Sequence, residues 1–294
     1  MSRVLPILSV LAGVVVLWYL GSVWMNSTWT YDQAARAGTT VTFSEMVKDT
    51  MAQDRPVLPA PHQVGQELWK GLFGQKVTSK RSLVYHGMIT LQATATGFAI
   101  GTLLGMLMAV GIVHSRTLDL SLMPWAIISQ TIPIVAIAPM IVVLSNSAGL
   151  GEMLGLDNRL VSKTIIAAYL SYFPVLVGMI KGLRSPDQMQ LDLLQTYGAS
   201  GGQTFWKLRL PASVPYLFAS LKVAIAASLV GAIVGELPTG AVEGLGARML
   251  VGSQFGEPMI VWAALFAAAI LAGALILLVG QLERLANRRM GVGS

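Results

Sequence analysis

The chain has 294 residues, of which 54% are hydrophobic and only 12% charged, and it contains no cysteine. That charged share is about half of what a soluble globular protein carries, and the mean hydropathy is +0.65. So few charges cannot cover so much apolar surface in water, which excludes a disordered chain, a disulfide scaffold and an ordinary soluble enzyme.

The remaining class is an all-α integral membrane protein, and the gaps between charges predict about six transmembrane helices. Val4 to Tyr31 is uncharged, and Leu5 to Trp24 within it is long enough to cross about 30 Å of hydrocarbon. Trp18, Tyr19, Trp24 and Trp29 suit an interfacial belt better than a cleavage site, so this segment reads as a retained helix rather than a signal peptide. A loop of residues 26–81 follows. Its Pro56, Pro59 and Pro61 lead into Val64, Leu68, Leu72 and Phe73, whose spacing predicts a short amphipathic helix. Ser82 to Val113, Leu120 to Gly151, Thr164 to Ile180, Val214 to Leu237 and Met259 to Leu282 supply the other spans. The predicted organisation is an N-terminal helix 1–25, an external loop 26–81, a membrane domain 82–285 with an exposed loop 184–212, and a basic tail 286–294.

The net charge of +6 does not indicate a nucleic-acid partner, because the basic residues are scattered in short clusters between uncharged runs rather than gathered on one face. They read as topology instead. Arg3, Arg116, Lys181, Arg184, Lys207, Arg209, Arg284, Arg288 and Arg289 fall on one side of a six-span chain. Only Arg159, Lys163 and Arg248 lie in the short loops of the other. The excess of positive charge places both termini in the cytoplasm.

Within the spans, Gly97, Gly101 and Gly105 recur on one helix face, and Gly231 and Gly235 repeat the device. Such rows permit close helix approach, either within the chain or against a second membrane subunit. Ser129-Gln130-Thr131-Ile132-Pro133, then Pro139 and Asn146, mark a kinked third span. Polar groups at that depth face a bundle interior or an aqueous path, so Gln130, Pro133 and Asn146 are pathway candidates. The hydroxyls of Thr90, Thr94 and Thr96 can bond back to their own helix and carry less weight. Lys222 is expected to snorkel to the cytoplasmic interface. Glu236, at the external end of the fifth span, is either an interfacial carboxylate at a helix break or a charged group on the pathway.

The segment Leu191-Asp192-Leu193-Leu194-Gln195-Thr196-Tyr197-Gly198-Ala199-Ser200, running on to Leu208-Arg209-Leu210-Pro211, stops a helix at a glycine. It predicts a short exposed helix, with Phe205 and Trp206 as an apolar knob, before a proline launches the next span. Such an element suits docking into a groove on another protein, and equally suits an interfacial helix lying on lipid. The pattern resembles the EAA loop of ATP-binding-cassette importer permeases: Asp192 takes the place of the acid, Gly198 that of the glycine, and Leu208, Leu210 and Pro211 close the motif. It departs in Asp for Glu and in Leu193-Leu194 for the alanine pair. Leu58-Pro59-Ala60-Pro61, Ile132-Pro133, Ala138-Pro139, Gly149-Leu150-Gly151-Glu152, Tyr172-Phe173-Pro174 and Gly244-Leu245-Gly246 extend the similarity to the nitrate/sulfonate/taurine branch.

The resemblance implies a type I importer (MetI-like) transmembrane domain. It also implies a coupling role toward the ATPase for Asp192, Gly198, Ala199, Phe205, Leu208, Leu210 and Pro211. The implied partners are a cytoplasmic ATPase dimer holding ATP and Mg, a second permease copy and an external solute-binding protein. The implied solute is a sulfonate- or nitrate-type anion, or a heterocycle such as a pyrimidine or vitamin precursor. No Gly-x4-Gly-Lys-[Ser/Thr] phosphate loop occurs, so the chain is expected to be no enzyme and to bind no cofactor. His62, His86 and His114 are too dispersed for a metal motif. The alternatives are an ion-coupled secondary transporter, which needs coupling charges such as Lys222 and Glu236, and a membrane scaffold without transport.

Overall fold

A computed structural model describes residues 4–240 and 242–289. Arg3 and most of the basic tail, residues 290–294, lie outside the described residues, as does the side chain of Arg289. The chain is helical in chain order. The first helices are α1 (Val4–Ala37), α2 (Phe43–Thr50), α3 (Pro61–Phe73), α4 (Leu83–His114), α5 (Arg116–Ser129), α6 (Ile134–Ser147) and α7 (Leu150–Leu154). Then follow α8 (Asn158–Leu183), α9 (Gln188–Thr196), α10 (Gly201–Thr204), a π-helical turn (Phe205–Arg209), α11 (Leu210–Glu236), α12 (Leu245–Gln254) and α13 (Pro258–Arg289).

Among the described residues, five stretches are long and apolar enough to cross a membrane: α1, α4, α8, the continuous Gly201–Glu236 helix and α13. The third predicted span, Leu120 to Gly151, is not one kinked helix. It is two helices, α5 and α6, meeting at 104°. The contacts form two compact units, one of residues up to His86 with Arg248–Ala268, the other of Gly87–Ala247 with the chain from Ala269 onward.

In the first unit, α1 continues well past the expected boundary at residue 25. At 1.5 Å per residue it runs about 51 Å, well beyond the hydrocarbon thickness. Its polar residues hold the Pro-rich segment. Asn26 Oδ1 accepts from the backbone N–H groups of Val57 (2.8 Å) and Leu58 (3.2 Å), while its Nδ2 donates to the Leu58 carbonyl. Trp18 Nε1 donates to the Pro59 carbonyl, and its ring stacks on Phe266. The amphipathic helix expected after Pro61 is α3. Helix α2 was not anticipated; it starts at a capping box in which Thr42 and Glu45 each satisfy the other's backbone N–H.

The second unit is organised around α8. Lipid offers helices no hydrophobic reward for associating, so close backbone contact must supply it. The glycine rows do so. A side chain at Gly101 would meet Ser171 Oγ and, at 2.7 Å, the Ala168 carbonyl, and one at Gly97 would lie 2.9 Å from the Thr164 carbonyl. One at Gly105 would lie 3.0 Å from Val175 Cβ, so α4 runs parallel to α8. Helix α11 runs antiparallel: Gly231 faces Ile166 and Ala167, Gly235 faces Lys163, and at the other end Gly182 of α8 faces Ser213. Among the described residues these glycines therefore pack within the chain.

The bent pair also crosses the length of α8. Asp119 of α5 pairs with Arg184 at the end of α8 (2.8 Å), and Asn158 at the start of α8 caps the N–H of Gly151 after α6 (2.9 Å). A core of Ala109, Ile112, Tyr172, Leu176, Met179 and Leu183 fills the end nearest the 184–212 loop. Lys222 does not snorkel alone as expected. It lies well inside α11 and pairs with the partly exposed Glu283 of α13 at 2.5 Å.

Candidate functional site

The loop is built by two local stop signals in series. Helix α9 ends because Gly198 adopts φ +70°, a left-handed conformation that costs a glycine nothing. The N–H of Ala199 returns to the Leu194 carbonyl and that of Gly198 to the Gln195 carbonyl, both 2.9 Å, the pairing that satisfies the last carbonyls of a helix. Ser200 then caps the next helix in a box with Gln203.

That next helix is not the separate element predicted. It runs through Phe205–Arg209 into α11 without a break. The N–H of Leu210 reaches back to the Phe205 carbonyl, which gives a π-turn. Pro211 has no N–H and its ring would crowd the carbonyl four residues earlier in a regular helix, so the wider turn admits the proline without ending the helix.

Of the residues expected to face a partner, Asp192 and Gly198 are exposed and Ala199 is half-buried. Asp192 accepts from Gln188 Nε2 on its own helix (2.9 Å). Leu208 and Leu210 are half-buried, and Phe205 turns inward, its ring 5.1 Å from His114 and against the core beneath the loop. Phe205 is thus a foot of the loop, and Trp206 alone projects outward, 68% exposed. A row that sequence inspection passed over is more conspicuous. Met189, Leu193 and Tyr197 recur every four residues along α9 and are 74%, 56% and 80% exposed. Spacing of four was the available signal.

The break between α5 and α6 holds a polar cluster near the middle of α8. Ser129 Oγ donates to the Ala126 carbonyl and meets the Tyr172 hydroxyl, Tyr169 OH donates to the Ser129 carbonyl, and Thr131 Oγ1 donates to the Ile128 carbonyl. The freed carbonyls of α5 are therefore capped by side chains, the condition for non-helical backbone at membrane depth. Gln130 is half-buried beside them and Pro133 is exposed at the start of α6. Asn146 is exposed at the far end of α6, so the candidates on this span do not converge on one point.

Glu236, at the end of α11, is fully buried within the chain. Thr90 Oγ1 donates to its Oε1 (2.8 Å), the Gly246 N–H to its Oε2 (2.6 Å), and Lys163 Nζ lies 3.9 Å away. Lys163, counted from the sequence among loop charges, is buried with it. Thr94 and Thr96 bond back to carbonyls of their own helix. Among the described residues no three His, Cys, Asp or Glu side chains cluster as metal ligands.

Comparison with known proteins gives the class of this multi-span chain. The chain belongs to the family of binding-protein-dependent transport system inner membrane components, which it matches over residues 101–292. It is 32% identical over 209 residues to a probable ABC transporter permease protein of Haemophilus influenzae, covering 71% of this chain and 77% of that one. It is 29% identical to the riboflavin transport system permease protein RibX of Chloroflexus aurantiacus (79% and 80% covered). With the formylaminopyrimidine transport permease protein ThiX of Halalkalibacterium halodurans it shares 30% identity (69% and 74% covered). A crystal structure of an amino acid ABC transporter with histidines superposes with a TM-score of 0.51 at 18% identity, covering 85% of this chain and all of the other, which shows a shared fold. The chain is accordingly a multi-pass inner-membrane permease subunit of an ATP-binding-cassette importer, a class that works with ATPase and binding-protein partners.

Proposed function

We propose that two copies of this chain form the membrane path of an importer for a small planar heterocycle delivered by an external binding protein. The 184–212 loop lies in the cytoplasm with both termini and docks on an ATPase dimer that holds the ATP and Mg. The observation that carries this reading is the exposed apolar row Met189, Leu193 and Tyr197, set beside the Gly198 bend. In water such a row is costly unless a partner covers it.

Closure of the ATPases on ATP would pull the paired loops together and swing the bundles between inward- and outward-facing arrangements as rigid bodies. The excess of short-loop and terminal basic residues on one side, against only Arg159 and Arg248 on the other once the buried Lys163 is set aside, supports the orientation. Similarity to permeases named for riboflavin and formylaminopyrimidine supports the heterocycle. Gln130 and Tyr169 at the helix break supply an amide and an aromatic ring of the kind such a solute requires, with Pro133 and Asn146 further along the same span. A sulfonate-type anion is the second reading. It is favoured by a cavity of about 500 Å³ between α5, α8 and α11, lined by Lys181, Ser185 and Tyr216 together with Arg184, whose guanidinium is shared with Asp119.

The test is copurification in detergent with the cognate ATPase. The parent chain is expected to retain the ATPase. Gly198→Asn, which tolerates the left-handed conformation, should retain it too, and Gly198→Trp should lose at least nine-tenths of it. Equal retention by the tryptophan variant contradicts the docking assignment. Thermal shifts of the cognate binding protein with riboflavin, a 4-aminopyrimidine and taurine then separate the two solute classes.

A further inference from the structure

The Glu236 carboxylate is the most enclosed charge in the second unit, and neither docking nor a solute path uses it. It stands where α11 ends, 0% exposed. Its oxygens collect donors from three directions: the Thr90 hydroxyl of α4, the Lys163 ammonium of α8 and the N–H of Gly246 at the start of α12. Thr90 closes the circuit, since its Oγ1 also accepts from the Leu245 N–H at 2.9 Å.

The surrounding glycines are shaped to the carboxylate. A Cβ at Gly246 would lie 2.9 Å from Glu236 Oε2 and 2.5 Å from the Ile233 carbonyl. At Gly244, which has φ +126°, it would overlap the carboxyl group itself. Gly244-Leu245-Gly246 is thus a backbone cradle for one side chain, and the Glu236 oxygens replace the water that these buried N–H and O–H donors would otherwise require.

The position gives the network its consequence. It lies at the end of α8 and α11 remote from the 184–212 loop, which joins the other ends of the same two helices. Between the two ends, α8 and α11 are zipped by Gly178, Gly182, Gly231 and Gly235. We infer that Glu236 is a positioning residue for transport: it pins α4, α8 and the turn into α12 to the tip of α11, so that movement imposed at the loop reaches the opposite end of the bundle. The inference rests on the loop being the ATPase-docking element.

The native chain has no cysteine, so Val242→Cys, at a site 64% exposed beside the cradle, gives a single labelling position. The permease–ATPase complex is placed in nanodiscs of phosphatidylethanolamine and phosphatidylglycerol. Labelling by a water-soluble maleimide is timed with and without trapping by ATP and vanadate. In the parent background trapping should change the labelling rate at least threefold. Glu236→Gln and Thr90→Val should still copurify with the ATPase and trap nucleotide, while the change shrinks to less than half.

The Lys163→Met/Glu236→Leu pair removes both charges but leaves Thr90 and Gly246 without their acceptor. It is expected not to restore the response. An unchanged response in the Thr90 and Glu236 variants overturns the inference, as does an insensitive parent or full restoration in the apolar double variant. If Glu236→Gln fails to assemble, the milder Thr90→Val decides by the same criterion. Loss of the ATPase from the parent complex would instead refute the docking assignment.

Discussion

Gly101 and Gly105 set the distance between α4 and α8 by what they lack. The atoms that an added side chain would strike include the Ala168 and Tyr172 carbonyls, and backbone cannot rotate out of the way as a flexible side chain can. Gly101→Leu is therefore expected to destabilise the bundle by about 1–3 kcal/mol through overpacking, seen as a lower midpoint of thermal aggregation in detergent. Gly273→Leu, on α13 where nothing lies within 4 Å, should leave the midpoint unchanged. A second residue-scale prediction concerns pH. The hydrogen bonds from the Thr42 hydroxyl and N–H hold the Glu45 carboxyl below its ordinary value. A carboxyl depressed on folding stabilises above its unfolded value, and that contribution is lost as pH falls through the folded one. Helix α2 should hence fray at acidic pH below the ordinary carboxylate range, read as lost amide protection at Met46 and Val47. Glu45→Gln should abolish that pH dependence.

At the scale of elements, the break between α5 and α6 depends on hydroxyls supplied by α8. Tyr169→Phe leaves the part-buried Ser129 carbonyl without its donor, a loss of about 1 kcal/mol for one hydrogen bond. Thermal midpoints of the purified variant against the parent check this, with Tyr19→Phe as a comparison at an exposed hydroxyl. The same break marks where reading the sequence stops. Spans were legible because a charge in hydrocarbon is costly, so gaps between charges trace α1, α4, α8, α11 and α13. The Gly198 bend was legible because a left-handed residue has a local signature. A prolyl kink and a 104° break, by contrast, share the string Ser-Gln-Thr-Ile-Pro, and the tyrosines that decide between them lie about forty residues on. Lys222 with Glu283, and Glu236 with Thr90, are likewise pairs fixed by helix packing rather than by spacing. The inward turn of Phe205 has a related origin. The π-turn sets which of Phe205 and Trp206 faces the core, and no composition rule reports a π-turn.

Across the whole molecule, the glycine-zipped helices α8 and α11 join an exposed loop at one end to a buried carboxylate network at the other. Permeases of this class work with ATPase partners, and on the proposed docking this pair of helices links the row on α9 to the far end. The central claim is that the row on α9 meets the ATPase, and it has a direct measurement in the cysteine-free chain. Single cysteines at Met189, Leu193 and Gln195 are each exposed to a short bifunctional crosslinker in the assembled permease–ATPase complex. Gln195 is exposed on the other side of α9. The account predicts crosslinks to the ATPase from positions 189 and 193, at least fivefold stronger than from 195. Equal crosslinking from all three positions, or crosslinking from 195 alone, would contradict it.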